Sequence, residues 1–177
     1  MAELAKQQLV ITAIGEDQPG VVSALTQLVS DCNCNITDSR IAILGNELTF
    51  IMLLCGDMAA ISRVEHTLPA TGMELGLLTM MKRTSSHNAE QYSGGYNLEY
   101  HGVDTPGTLS QVTGYFAEYG ISICSLKSDT FDKEEQAYMR CELEFNVPQE
   151  LDIDAFKVSF EALSQRLEID YIFRRIR

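Results

Sequence analysis

Apolar and polar positions along this chain trace one pattern twice. Leu9-Val10-Ile11-Thr12-Ala13-Ile14 reads as a β-rich run. After it, Val21, Val22, Leu25, Leu28 and Val29 recur at helical spacing. Ile36 to Leu44 and Glu47 to Cys55 read as two strands around a Gly45-Asn46 turn. A second helix is predicted from Met58 to Leu68, started by Asp57 and stopped near Pro69, and a strand from Leu75 to Lys82 closes the half. The pattern then begins again. Tyr96 to His101 alternates like a half-buried strand, and Leu109, Val112, Phe116 and Tyr119 keep helical spacing. Strands follow at Ile123 to Phe131 and Ala137 to Val147, around a charged turn at Asp132-Lys133-Glu134-Glu135. In the second of them Met139, Cys141, Leu143 and Phe145 point one way, and Tyr138, Arg140, Glu142 and Glu144 the other. A helix from about Asp154 to Leu167 and a strand from Ile169 to Ile176 complete the copy.

The two copies also share residues. Gly15-Glu16-Asp17-Gln18-Pro19-Gly20 aligns with Gly102-Val103-Asp104-Thr105-Pro106-Gly107 at an offset of 87. Ser23 falls on Ser110, Thr26 on Thr113 and Ile36 on Ile123, so six of twelve positions from Gly15 to Thr26 are identical. Proline in each motif suits the first helical position, and the preceding Asp17 or Asp104 can cap free backbone N–H groups. Asn33 and Gly120 occupy matching positions where the first helix of each copy should stop in a left-handed C-cap.

The order is βαββαβ twice, an α+β fold of two tandem ferredoxin-like domains. We place domain 1 at residues 1–84, a polar Ser/Gly-rich linker at 85–95 and domain 2 at 96–177. The strand from Leu48 to Leu54 is apolar on both sides. Its open face should therefore be covered, by the second copy or by another chain.

Charge narrows the function. The net charge is −12. Residues 1–87 hold five Lys/Arg against nine Asp/Glu, and residues 88–177 hold eight against sixteen. Neither half offers the basic face of a nucleic-acid binder, and the terminal Arg174, Arg175 and Arg177 read as a solvated end. No signal peptide or membrane-spanning stretch is visible, and the five cysteines lack regular spacing, so a cytoplasmic protein with reduced thiols is expected. Cys32-x-Cys34 lacks the further ligands of a structural zinc site and has the wrong spacing for a redox pair. Cys55, Cys124 and Cys141 are expected in the core. No catalytic triad or phosphate-binding glycine loop is present, so neither enzyme chemistry nor a metal or cofactor is expected.

The two Asp-x-Pro-Gly motifs are the best ligand-site candidates. A helix start suits a carboxylate, a glycine admits a ligand close to the backbone, and an Asp can meet an ammonium group. Candidate residues are Asp17, Gln18, Pro19, Gly20 and Val21 in the first copy, with Asp104, Thr105 and Gly107 in the second. Asn35, Ile36, Ser122 and Ile123, where each second strand begins, are added. On chemistry alone, the Asp residues read first as caps and the Asn as a turn residue.

An Asp-x-Pro-Gly between first strand and first helix, within βαββαβ, resembles the ACT domain family of small-molecule sensors, and the resemblance spans nearly the whole chain. Leu9 to Ala13, Cys32 to Arg40, Leu48 to Leu54 and Met81 to Thr84 further resemble the family of glycine cleavage system transcriptional repressors. That resemblance implies a non-catalytic repressor of the glycine cleavage operon, responsive to glycine or a similar amino acid. It implies contact with the operon's LysR-type activator instead of DNA. It also implies that the second-strand residues face a ligand across an interface, and that the two copies pair, the chain forms a homo-oligomer, or both. The alternative is an amino-acid-binding ACT regulatory subunit that controls a metabolic enzyme.

Overall fold

The computed structural model describes residues 6–85, 92–133 and 135–176. The chain divides into two compact units, residues 1–87 and 88–177. Unit 1 runs β1 (Gln7–Glu16), α1 (Val21–Asp31), β2 (Asn35–Leu44), β3 (Glu47–Gly56), α2 (Met58–Glu74) and β4 (Leu78–Thr84). Unit 2 repeats it as β5 (Tyr92–Val103), α3 (Thr108–Glu118), β6 (Ser122–Lys133), β7 (Gln136–Pro148), α4 (Ile153–Leu167) and β8 (Ile169–Arg175). The sheets are antiparallel, in the orders β2-β3-β1-β4 and β6-β7-β5-β8. The predicted α+β fold of two βαββαβ domains is thus the fold observed.

Strand periodicity decides which face is buried. In unit 1 Leu9, Ile11 and Ala13 of β1 and Leu48, Phe50, Met52 and Leu54 of β3 point to the helices, where Leu25, Val29, Ile61, Val64 and Leu68 meet them. In unit 2 Met139, Cys141, Leu143 and Phe145 of β7 all lie in the core, on the side predicted for them. This core is aromatic. Phe116 is fully buried and packs edge-on against Phe145, Phe156 and Phe160.

Helix ends follow local chemistry. α1 closes in a Schellman motif, with Cys34 N–H bonded to the Val29 carbonyl, Asn33 N–H to Ser30, and Asn33 at φ 57. α3 closes the same way through Ile121, Gly120 and the carbonyls of Phe116 and Ala117. Asp57 caps α2 by accepting from Ala60 N–H at 2.7 Å.

Three expectations need correction. α2 does not stop near Pro69 but runs through it to Glu74. Pro69 is exposed, so the carbonyl that loses its partner can turn to water while Leu68 and Gly72 stay buried. The linker expected at 85–95 is shorter, because β5 begins at Tyr92 and Gly94 and Gly95 pair with Val147 and Asn146. Its central part, 86–91, lies outside the described residues. Finally, Cys124 is exposed and Cys55 half-buried, although Cys141 is core. Cys124 sits at a β-bulge between Ile123 and Ser125, which breaks the alternation that strand periodicity assumed.

Tyr100 carries an anomaly of the second core. It is fully buried, yet among the described residues its hydroxyl meets no oxygen or nitrogen partner. Its cross-strand partner is Cys141, whose thiol is a weak hydrogen-bonding group. Burial pushes both ionisations well up, so both groups stay neutral. A buried hydroxyl left with only a thiol beside it costs stability, so Tyr100→Phe is expected to be neutral or to stabilise by about 1 kcal/mol. Chemical denaturation of the two proteins checks this, and a loss above about 1 kcal/mol would mean the hydroxyl has a partner.

Candidate functional site

The Asp-x-Pro-Gly loops are not helix starts. α1 begins only at Val21 and α3 only at Thr108. Before them, Val21 N–H bonds the Gln18 carbonyl at 3.3 Å and Thr108 N–H bonds Thr105 at 3.2 Å, each closing a four-residue turn. The glycine at the third turn position has φ 95 in Gly20 and 96 in Gly107. Proline then glycine of positive φ is the signature of a type II turn. Pro19 and Pro106 hold the second position of that turn, where the φ they impose serves as well as it would in a helix.

The consequence is that neither Asp caps its helix. No side chain caps α1 or α3. The first-turn N–H groups of each helix therefore lack a side-chain acceptor, and the loop carries an exposed carboxylate two residues before the turn glycine's proline partner. Asp17 is fixed through its backbone, N–H to the Asn46 carbonyl at 3.2 Å, and Asp104 through Ala137 at 2.8 Å. Each loop thus lies against the hairpin at the far end of its sheet. The carboxylates differ. Asp104 Oδ2 accepts from Thr130 Oγ1 at 3.0 Å. The position matching Thr130 in the first copy is Ile43, which has no hydroxyl, and Asp17 has no side-chain partner among the described residues. Gln18 donates instead to Glu16 at 3.2 Å.

Gly15 and Gly102, which open the motifs, have another task. A Cβ on Gly15 would come within 2.7 Å of Leu77 Cδ2 and 3.0 Å of the Gly76 carbonyl. On Gly102 it would meet the Glu168 carbonyl at 2.8 Å. Both let the first strand pass the corner between second helix and last strand. By contrast, nothing lies within 4 Å of a Cβ built on Gly20 or Gly107. Those two are chosen for conformation, and they leave open space beside the backbone.

The other candidates lie elsewhere. Asn35 pairs with Cys55, which faces Gln8 at the start of β1, whereas the Asp17 loop follows Glu16 at its end. Eight residues of strand separate Gln8 from Glu16, about 27 Å. Ser122 and Ile123 stand in the same relation to Asp104, Thr105 and Gly107, opposite Asn146 and Gly95. Within one copy the structure does not bring the two groups together. Both second-strand groups adjoin a β-bulge at the equivalent place, Ile36/Asp38 and Ile123/Ser125. Concave surface is found elsewhere again. One groove of about 480 Å³ lies between α3 and α4, lined by Gln111, Gly114, Tyr115, Glu118, Ser159 and Arg166. Its size gives it no claim over the loops, because its walls are helix flanks open to solvent. Burial there lifts the Tyr115 hydroxyl to about 12.

Thiol chemistry is not favoured at Cys32-x-Cys34. Both are buried, and burial, with the neighbouring Cys32, pushes the Cys34 thiol up, away from the reactive thiolate. Among the described residues no group of three His, Cys, Asp or Glu could hold a metal ion, and no helix is long and apolar enough to cross a membrane. Sequence reading missed one polar tie. Arg83 of β4 grips Glu65 of α2 with two 2.8 Å bonds and holds that carboxyl below its usual range. The two stand eighteen positions apart, which gave no local signal.

Comparison with known proteins defines the class first. The ACT domain family matches residues 7–82. A glycine cleavage system transcriptional repressor of Escherichia coli (strain K12) is 38% identical over 165 residues, covering 92% of this chain and 87% of the relative. The chain belongs to that family of regulatory ACT proteins. A crystal structure of a protein assigned as a glycine cleavage system transcriptional repressor agrees with a TM-score of 0.75 at 34% identity, over 97% of this chain and 98% of the other. A protein from Galdieria sulphuraria shares the fold, with a TM-score of 0.78 at 21% identity over 98% of this chain and 100% of the other.

Proposed function

We propose that this chain represses a glycine cleavage operon by contacting the operon's LysR-type activator, and that glycine or a similar amino acid relieves the contact. The single observation behind this reading is the 38% identity to a glycine cleavage repressor across 92% of the chain, both units included. The acidic surface, with a net charge of −12, suits a protein partner and opposes a DNA backbone. The protein works in the cytoplasm and performs no catalysis.

The loop at Asp17 to Val21 is the proposed ligand site. The glycine carboxylate takes the uncapped N–H groups at the start of α1, beside the open space at Gly20. The ammonium group takes Asp17. The first copy is preferred because Thr130 already occupies Asp104 in the second. The loop is exposed, so a bound amino acid alters the surface that a partner meets, and its effect equals its difference in affinity for free and bound protein.

Calorimetric titration with glycine, and with alanine and serine as controls, tests the site. Saturable glycine-selective heat is expected, lost in Asp17→Ala and kept in Asp104→Ala. No heat with any amino acid, alone or with the activator present, rejects the assignment. Affinity capture that returns a metabolic enzyme and no activator would favour the regulatory-subunit reading.

A further inference from the structure

The open faces of the two sheets differ sharply. In antiparallel sheets, residues directly opposite share a face. On unit 1 the face turned away from the helices carries Val10, Thr12 and Ile14 of β1, with Thr49, Ile51 and Leu53 of β3. Leu78 and Met80 of β4 and Ala42 of β2 extend it. Ile51 is 40% exposed, Met80 57% and Leu78 66%. On unit 2 the middle of the corresponding face carries Glu99, His101, Lys127, Asp129, Arg140 and Glu142, with Ile172 at one edge and Phe131 and Tyr138 toward the hairpin end. The centre of the face is thus charged in unit 2 and apolar in unit 1, so an apolar centre is not a general property of the fold.

We propose that this face is the contact between two copies of the chain, packed sheet against sheet about a two-fold axis. Four strands about 4.8 Å apart and about nine residues long give roughly 600 Å² in plan. Two such faces bury about 1,200 Å², above the roughly 1,000 Å² that a specific interface needs. The layout matches interface anatomy, an apolar centre with charge at the rim. Asp38 and Arg40 stand on the edge strand β2, opposite Leu53 and Ile51, and Lys82 stands on the other edge, opposite Val10. A two-fold contact is self-complementary, so each apolar centre meets its like, while Asp38 and Arg40, already paired with each other, stay in water at the rim. A charged cover would instead lose its hydration against apolar side chains and gain no partner. This inference is independent of the glycine site, which lies on a loop and not on the sheet face.

Light scattering on the full chain during size-exclusion chromatography tests it. The expected mass is twice 19.7 kDa. Ile51→Glu and Met80→Glu should each halve it with an unchanged circular dichroism spectrum, whereas Ile172→Glu on the unit 2 face should leave it doubled. Met80 is exposed in the single chain, so its replacement keeps the test valid if Ile51→Glu misfolds. A monomeric parent chain at tens of micromolar, or a dimer that survives Met80→Glu in folded protein, overturns the proposal. An edge-to-edge dimer is the second of these outcomes.

Discussion

Replacing Phe116 with Ala is expected to unfold unit 2 while unit 1 stays folded. Phe116 is fully buried and has three aromatic neighbours, Phe145, Phe156 and Phe160, contributed by β7 and α4. Removing it deletes the ring that joins α3 to both of those elements. The cost is about 3–5 kcal/mol, the range for truncating a buried aromatic whose site cannot collapse. In a unit of this size each kcal/mol shifts the midpoint by roughly 4–8 °C, so the loss is about 12–40 °C. The two cores share no residue, since the cluster of unit 1 ends at Leu77 and that of unit 2 begins at Tyr96. Differential scanning calorimetry should therefore show one transition displaced and one retained. Two transitions that move together would show the units to be a single cooperative block.

The second large effect belongs to Gly102. An added methyl would stand 2.8 Å from the Glu168 carbonyl and 3.0 Å from Ile169 Cγ2. The first of these is backbone, at the tight corner between α4 and β8, where Glu168 already has φ 54. It cannot swing aside as a side chain can. Gly102→Ala is expected to destabilise by about 1–3 kcal/mol, as overpacking does. Gly15→Ala should cost less, because its shortest contact is the tip of Leu77, which can rotate. Gly114→Ala is the control, an exposed helical glycine with nothing within 4 Å, and should stabilise by about 0.5–1 kcal/mol. Urea denaturation of the three variants orders them. Equal losses at Gly15 and Gly102 would mean that the α4–β8 corner yields as easily as a side chain.

Both effects bear on how much could be read without coordinates. The identity of Gly15 with Gly102 was visible in the aligned motifs, but not its reason. A close approach between β5 and the α4–β8 corner joins residues more than sixty positions apart, and no local rule reports it. The same limit applies to Arg83 and Glu65. The Pro-Gly turns failed for a different reason. A proline at the first helical position and one at the second position of a turn have the same φ. Only the following glycine, at φ 95 or 96, separates them, and its conformation is a free choice in the sequence. With the turn came the loss of the caps expected from Asp17 and Asp104, which leaves the Asp17 carboxylate without a side-chain partner among the described residues.

By itself, the sequence determined the repeat, the order of elements, the buried side of β7 and the helix stops at Asn33 and Gly120. Each of these rests on periodicity or on the conformation of one residue, and such information is local. The tertiary structure alone decided where the candidate groups stand. β1 and β2 each run antiparallel to β3, so they run parallel to one another. The α1 crossover must then return the chain to the starting end of the sheet before β2 begins. That requirement sends Asn35 and Ile36 to the end opposite Asp17, about 27 Å away, although Asn35 follows Asp17 by only eighteen positions in the chain.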